Sequence, residues 1–114
     1  MKNSKKMQSL KRILYCAEND LLSYQPTYRN RFMEYCSIGC LFTDDLINNL
    51  VRRKIDQSAQ VLFDKYPGLV AATGLSPNEA QDIQQFHDDL RYLDNSKNIF
   101  IKKVKSWIAA KGAI

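Results

Sequence analysis

Apolar residues recur three and four positions apart along most of the chain, and this spacing constrains the fold more than any other feature. Residues at that spacing lie on one face of an α-helix, so the pattern predicts amphipathic helices. The sequence contains no pair of alternating apolar runs joined by an Asn-Gly or Asp-Gly turn, which would predict a β-hairpin. We therefore expect an all-α protein: a compact single-domain bundle of about five helices, orthogonally packed, over residues 1–114.

The periodic segments predict which residues face the core. The first segment should end before Pro26, because the residue that precedes a proline disfavours helical angles. The last should end at Gly112. The residues expected to face inward are Met7, Leu10, Leu14, Ala17 and Leu21 in the first helix, and Ile101, Val104, Trp107 and Ile108 in the last. Between them, the expected inward residues are Leu46, Ile47, Leu50, Val51, Val61, Leu62, Tyr66, Ala80, Ile83, Phe86, Leu90 and Leu93.

Three local signals predict helix ends in the middle of the chain. Ser76, followed three residues later by Glu79, predicts a capping box, in which each side chain bonds the other residue's backbone N–H. Thr43, followed by Asp44 and Asp45, predicts another helix start, because carboxylates are stabilised at the positive end of the helix dipole. Gly74 is expected to end a helix in the left-handed conformation.

Charge is unevenly distributed along the sequence. Residues 1–12 and residues 95–114 each contain five basic residues and no acidic one, whereas residues 13–94 contain seven basic and twelve acidic residues. Two basic ends that meet in the fold would form one patch able to attract nucleic acid or an acidic protein surface; two solvated helix faces are the alternative. The candidate partner-binding residues are Lys2, Lys5, Lys6, Lys11, Arg12, Lys97, Lys102, Lys103, Lys105 and Lys111.

The three cysteines and the single histidine allow several kinds of site. Cys36 and Cys40 lie four residues apart, and with Cys16 and His87 they would complete a four-ligand zinc set. A cysteine nucleophile would need His87 as its base. Packing is the interpretation we favour, because free cysteine is among the most buried residue types and His87 falls at the edge of an apolar stripe. We therefore expect a half-buried histidine bonded to a neighbouring helix, no catalytic residues and no cofactor.

Other function classes receive little support from the sequence. No apolar run approaches the roughly 18 residues that a membrane span needs, and the basic N-terminus lacks the apolar block of a signal peptide. Three cysteines without such a signal indicate reduced thiols and a cytoplasmic protein. The segment around Gly74 is compatible with a helix-turn-helix, but the helix that would read DNA carries Glu79, Asp82, Asp88 and Asp89, whose charge is wrong for a duplex.

Three segments carry a resemblance to a group of proteins. The segment "CSIGCLFTDDL" and the later "IQQFHDDL", followed by "VKSWIAAKG", resemble a pattern in small uncharacterised bacteriophage and prophage proteins, with Cys-x-x-Gly-x-Leu before one helix and Gln-x-x-His-Asp in a later one. Ile83 stands where that pattern has leucine. The matching residues are Cys36, Gly39, Leu41, Asp44, Gln84, His87, Asp88 and Trp107.

The resemblance implies a phage or mobile-element origin and a host macromolecule as partner. Together with the charge distribution, it leads us to expect a non-enzymatic helical binding protein that docks on a host protein or protein–nucleic-acid complex, in the host cytoplasm, to inhibit or redirect it. The alternative is a nucleic-acid-binding regulator that uses the same basic segments. A metal-stabilised protein is the third hypothesis.

Overall fold

A computed structural model describes residues 4–22, 38–42, 58–90 and 93–114. These ranges hold five α-helices, α1 (Lys5–Glu18), α2 (Ala59–Lys65), α3 (Pro67–Thr73), α4 (Pro77–Asp89) and α5 (Ser96–Ala109), and a 3₁₀ turn over Gly39–Leu41. No strand occurs in them, so the predicted all-α bundle is confirmed. The loop at Pro26, the helix expected after Thr43, and the candidate site residues Lys2 and Cys36 lie outside the described residues.

The helix starts follow from side-chain caps. The predicted capping box of α4 is present: the Glu79 N–H donates to Ser76 Oγ at 3.1 Å, and the Ser76 N–H donates to Glu79 Oε1 at 3.0 Å. Ser4 and Ser58 cap α1 and α2 with their side chains, each accepting from the backbone N–H three residues on. Each cap satisfies one of the backbone N–H groups that a helix start leaves without an intrahelical partner.

Helices α1 and α5 pack against each other and run antiparallel. Lys97, in the first turn of α5, pairs with Asp20 just beyond the end of α1 at 2.8 Å. At the other end, Gly112 packs so closely on the Lys6 side chain that an added Cβ would lie 3.0 Å from Lys6 Cε. The first and last helices of the described chain are therefore neighbours in the fold.

The buried face of α1 is rotated from the predicted one. Leu10 and Ala17 are buried as predicted, but Ile13 and Cys16 are fully buried as well, whereas Leu14 is only partly buried. Ser9 is also buried. Its hydroxyl is satisfied there, because it donates at 2.7 Å to the carbonyl of Thr73 at the end of α3. Helix α1 contacts α5, and it also contacts the 3₁₀ turn and α3. These contacts determine which of its residues are buried.

Helix α4 joins α2 to the α1–α5 pair. It packs against α2, where Gln60 donates to Gln81 and Asn78. On its other side, Phe86 meets Trp107 of α5 edge-on, with ring centroids 6.0 Å apart. The buried residues of these helices are Ala59, Leu62, Phe63, Ala80, Ile83, His87, Phe100, Val104 and Trp107.

Two predicted core residues are exposed. Val61 is 48% exposed, because α2 buries the stripe of Ala59, Leu62 and Phe63 instead. Leu93 is 50% exposed, because α4 ends at Asp89 and the helical spacing that placed Leu93 inward does not continue past that point. The other described residues predicted to face inward are buried or packed against the core.

Candidate functional site: the basic helix pair and its groove

The two basic ends of the sequence meet in the fold because α1 packs against α5. Helix α1 contains four basic residues and one acidic residue, and α5 contains four basic residues and no acidic one. Helix α4, in contrast, contains four acidic residues and neither lysine nor arginine. We call α1 and α5 together the basic helix pair. The bundle therefore separates its charge, with one acidic helix beside two basic ones.

Two of the predicted partner-binding lysines are engaged within the protein. Lys6 forms an ion pair with Glu79, which links the start of α1 to the start of α4. Lys97 forms its ion pair with Asp20 at the opposite end of the basic helix pair. Both lysines already pair with a carboxylate of the protein, so they contribute less to a docking surface than the sequence predicts.

Lys103 lies over two aromatic rings at the contact between α4 and α5. Its ammonium lies 5.6 Å from the ring centroid of Phe86 and 6.0 Å from that of Trp107, within the range of a cation–π interaction. Lys103 is exposed, so this charge lies at the solvent edge of the aromatic contact between α4 and α5. Trp107 itself is only 5% exposed, so it is a core residue and is not available to stack on a base.

The remaining described candidates are exposed on the basic helix pair. Arg12 lies over the ring of Tyr15, with 5.4 Å between its guanidinium carbon and the ring centroid. Tyr15 is 51% exposed and lies one turn from Lys11 on α1. These candidates are Lys5, Lys11 and Arg12 on α1 and Lys102 and Lys105 on α5, with Lys111 exposed just beyond the end of α5.

A groove of about 340 Å³ lies between α1, the 3₁₀ turn and the end of α3. Lys5 and Arg12 are seven residues apart on α1, which places them about 10 Å apart along the helix axis, and both line the groove. None of its described lining residues is acidic; the others are Gln8, Ser9, Cys40, Leu41, Phe42, Ala72 and Thr73. The sequence did not predict this groove, because it joins three segments that are far apart along the chain.

The structure pairs Cys40 with Cys16. Both side chains are buried thiols, one on α1 and the other on the 3₁₀ turn that packs against α1. Hydrogen bonding from Cys40 lowers the pKa of Cys16 from its usual 9.0 to about 7; burial opposes the shift and the nearby charge of Arg12 assists it. The sequence had singled out Cys36 with Cys40, but only the structure could show that α1 supplies the partner of Cys40.

The zinc set of Cys16, Cys36, Cys40 and His87 is not tested as a whole, because Cys36 lies outside the described residues. Among the residues that the structure describes, no three potential metal ligands cluster together. His87 is fully buried rather than half-buried, and its ring meets Phe100 edge-on at a centroid distance of 4.9 Å. Its Nδ1 lies 3.8 Å from Asp88 Oδ1. His87 therefore belongs to the core between α4 and α5.

Comparisons with known proteins give no family assignment. No protein-family model, curated protein or solved structure matches the chain. Within the described ranges, no helix combines the length and the apolar character that crossing a bilayer requires.

Proposed function

We propose that the chain is a non-enzymatic helical binding protein, and that the basic helix pair docks on an acidic surface of a partner protein or of a protein–nucleic-acid complex. The observation that carries this proposal is the charge separation between α4 and the basic helix pair, on which Lys5, Lys11, Arg12, Lys102 and Lys105 are exposed. A surface with one sign of charge speeds and orients encounters with partners of the opposite charge.

Arg12 and Tyr15 are the proposed anchor of this contact. Protein interfaces take much of their binding energy from a few residues, among which tyrosine and arginine are enriched. The Arg12 guanidinium already lies against the Tyr15 ring, so the pair presents an aromatic surface and a charge together at little cost in side-chain entropy. Lys11, Lys102 and Lys105 would supply the surrounding electrostatic attraction.

The resemblance to small phage and prophage proteins supports a host macromolecule as the partner, which the chain would inhibit or redirect in the host cytoplasm. A binding role of this kind needs a stable scaffold and an exposed surface. The described fold offers both, with a continuous core beneath the basic helix pair.

The test is a capture experiment with charge-reversed variants. The immobilised chain is exposed to a bacterial lysate, in parallel with a Lys11→Glu/Lys102→Glu/Lys105→Glu variant and a Lys65→Glu control. Lys65 is exposed on α2, outside the basic helix pair. We expect an acidic protein or complex to be retained by the wild type and the control and to be lost from the triple variant. Equal retention by all three proteins would contradict the proposed surface.

A nucleic-acid-binding regulator is the second candidate, because the same exposed lysines would contact phosphates. Its signature is binding that weakens steeply with salt, since each neutralised phosphate releases about 0.9 of a counterion. The measurement is a titration with duplex DNA at two salt concentrations. No binding at roughly 100 µM duplex, the weak end of non-specific affinities, would remove this candidate.

A further inference from the structure

The groove beside α1 has a basic residue at each end of its α1 wall. Seven residues bring an α-helix almost back to the same face, so Lys5 and Arg12 line the groove from one side of α1, two turns apart. Gln8 and Ser9 lie between them on that wall. The described lining residues include no carboxylate. The wall therefore carries charge of one sign over about 10 Å.

The hydroxyl groups on the floor of the groove are engaged within the protein. The Ser9 hydroxyl donates to the Thr73 carbonyl, and the Thr73 hydroxyl donates to the Leu69 carbonyl, each at 2.7 Å. The partly buried Leu41 and the exposed Ala72 add apolar surface beside them. An occupant of the groove is therefore recognised by the two cations and by apolar contact, rather than by these hydroxyls.

The exposed walls of the groove favour a segment of a larger partner over a small ligand. Lys5, Gln8 and Arg12 on one wall and Ala72 on the other are exposed, whereas small-ligand pockets bury roughly 70–90% of the ligand surface. An extended peptide of about three residues covers about 10 Å and can supply both carboxylates and an apolar side chain. Phe42 is only 8% exposed, so its ring is not available to stack on a nucleic-acid base.

We propose that the groove binds a short acidic peptide segment of the partner, with carboxylates at Lys5 and Arg12 and an apolar side chain beside Leu41 and Ala72. This inference deepens the proposed function and rests on it, because Arg12 belongs both to the groove and to the anchor that it forms with Tyr15. The groove extends the docking surface from α1 towards α3.

The test selects peptides without assuming the identity of the partner. The immobilised chain is exposed to a library of random short peptides displayed on phage, and the sequences that it retains are compared with those retained by an Ala72→Glu variant. We expect the sequences enriched on the wild type to share acidic residues beside an aliphatic or aromatic one. The most enriched peptide is then synthesised with a fluorescent label, and its Kd is measured by fluorescence anisotropy.

Two adjacent alanines provide a matched pair of variants. Ala71 and Ala72 are both exposed on α3, but Ala72 lines the groove and Ala71 does not. Because like charges repel, we expect Ala72→Glu to weaken peptide binding roughly tenfold or more, and Ala71→Glu, which changes the net charge equally, to alter it less than about twofold. Lys5→Glu is a second groove variant that spares the helix, since a carboxylate is stabilised at a helix start, and Lys65→Glu is its control. Circular dichroism establishes that each variant is folded.

Three results of the peptide experiment would overturn the inference. They are a failure to enrich any peptide on the wild type relative to Ala72→Glu, enriched peptides that lack acidic residues, and equal weakening by Ala71→Glu and Ala72→Glu. Other occupants have their own signature. If no peptide is enriched, but a labelled oligonucleotide or a second copy of the chain loses affinity for Ala72→Glu, the groove belongs to that occupant and the inference is wrong.

Failure of this inference is distinguishable from failure of the proposed function. Lys11, Lys102 and Lys105, whose charges are reversed in the lysate capture, do not line the groove. Capture that depends on these lysines, without peptide binding to the groove, would leave the proposed function standing and remove this inference alone. Peptide binding that Ala72→Glu abolishes, with equal lysate retention by all three proteins of the capture experiment, would remove the docking surface and keep the groove as a peptide site.

Discussion

Lys6 pairs with Glu79, the same carboxylate that completes the capping box of α4. One oxygen of Glu79 accepts from the Ser76 N–H, and the other meets the Lys6 ammonium. A single side chain thus fixes the start of α4 and ties it to the start of α1. The capping box can be predicted from the sequence, because its two residues are three positions apart. The ion pair of Glu79 with Lys6 cannot, because those residues are far apart along the chain.

Glu79→Gln should lower stability at neutral pH and flatten its dependence on acid. Burial alone would raise the pKa of Glu79, but hydrogen bonds from Lys6 and Ser76 and the charge of Lys6 lower it on balance. The stabilisation is therefore present above the usual value of 4.5 and is lost as the pH falls through the lowered pKa. We expect a loss of roughly 1–2 kcal/mol at pH 7 in urea unfolding, shrinking in acid.

A Lys6→Met variant and the double variant complete the measurement for this pair. If the two residues act through their contact, the effects of the single substitutions will not add in a double-mutant cycle. Additive losses, or an unchanged difference between wild type and Glu79→Gln from neutral to acidic pH, would contradict the assigned role.

Gly74→Ala should destabilise the fold strongly. Gly74 ends α3 with a φ of 70°, in the left-handed region, and an added Cβ would overlap the Lys6 backbone nitrogen and lie 3.0 Å from the Lys5 carbonyl carbon. Backbone atoms cannot rotate away as a side chain can, so we expect a loss of at least about 2 kcal/mol in thermal or urea unfolding.

Gly68→Ala is the matched control for that substitution. Gly68 lies in the first turn of the same helix, and an added Cβ there would meet no atom within 4 Å. Because alanine reduces the conformational entropy of the unfolded chain, we expect a neutral effect or a gain of roughly 0.5–1 kcal/mol. Equal effects at the two glycines would mean that the close approach of α3 to α1 is not as described.

Phe100→Ala should cost roughly 3–5 kcal/mol, since it removes a fully buried aromatic ring that contacts both Phe86 and His87. Its neighbour Ile99 is 36% exposed, and Ile99→Ala should cost much less. The measurement is the midpoint of urea unfolding for both variants. A similar loss at both positions would contradict the assigned orientation of α5.

The Cys16 thiol should titrate near pH 7 in a Cys36→Ser background. The hydrogen bond from Cys40 is the main cause of its low pKa, so a further Cys40→Ala substitution should raise the midpoint towards the usual 9.0. Because the folded-state pKa is lowered, this thiolate contributes stability above pH 9 that is lost as the pH falls through about 7. Thiolate ultraviolet absorbance measures the titration, and a midpoint unaffected by Cys40→Ala would contradict the contact.

The features that were predicted correctly from the sequence are determined by residues close together along the chain. The capping box at Ser76 and the left-handed glycine at Gly74 both follow from interactions within a few positions, which propensity and spacing can reveal. The all-α class follows for the same reason, because helical spacing repeats along each segment.

The features that could not be predicted from the sequence are determined by which distant segments pack against each other. Val61 and Leu62 are adjacent apolar residues, and only the packing of α2 against α4 decides that Leu62 is buried and Val61 exposed. The contact between Cys16 and Cys40 and the ion pair of Lys6 with Glu79 join residues far apart along the chain. Spacing within one helix carries no information about such partners.

The antiparallel packing of α1 against α5 has a consequence for how the chain acquires its structure. Its contacts join residues far apart along the chain, Asp20 to Lys97 at one end and Lys6 to Gly112 at the other, and closing such a long loop has an entropy cost that slows folding. During synthesis, α1 leaves the ribosome long before α5 exists. The apolar stripe of α1 therefore cannot reach its final packing until α5 has been synthesised.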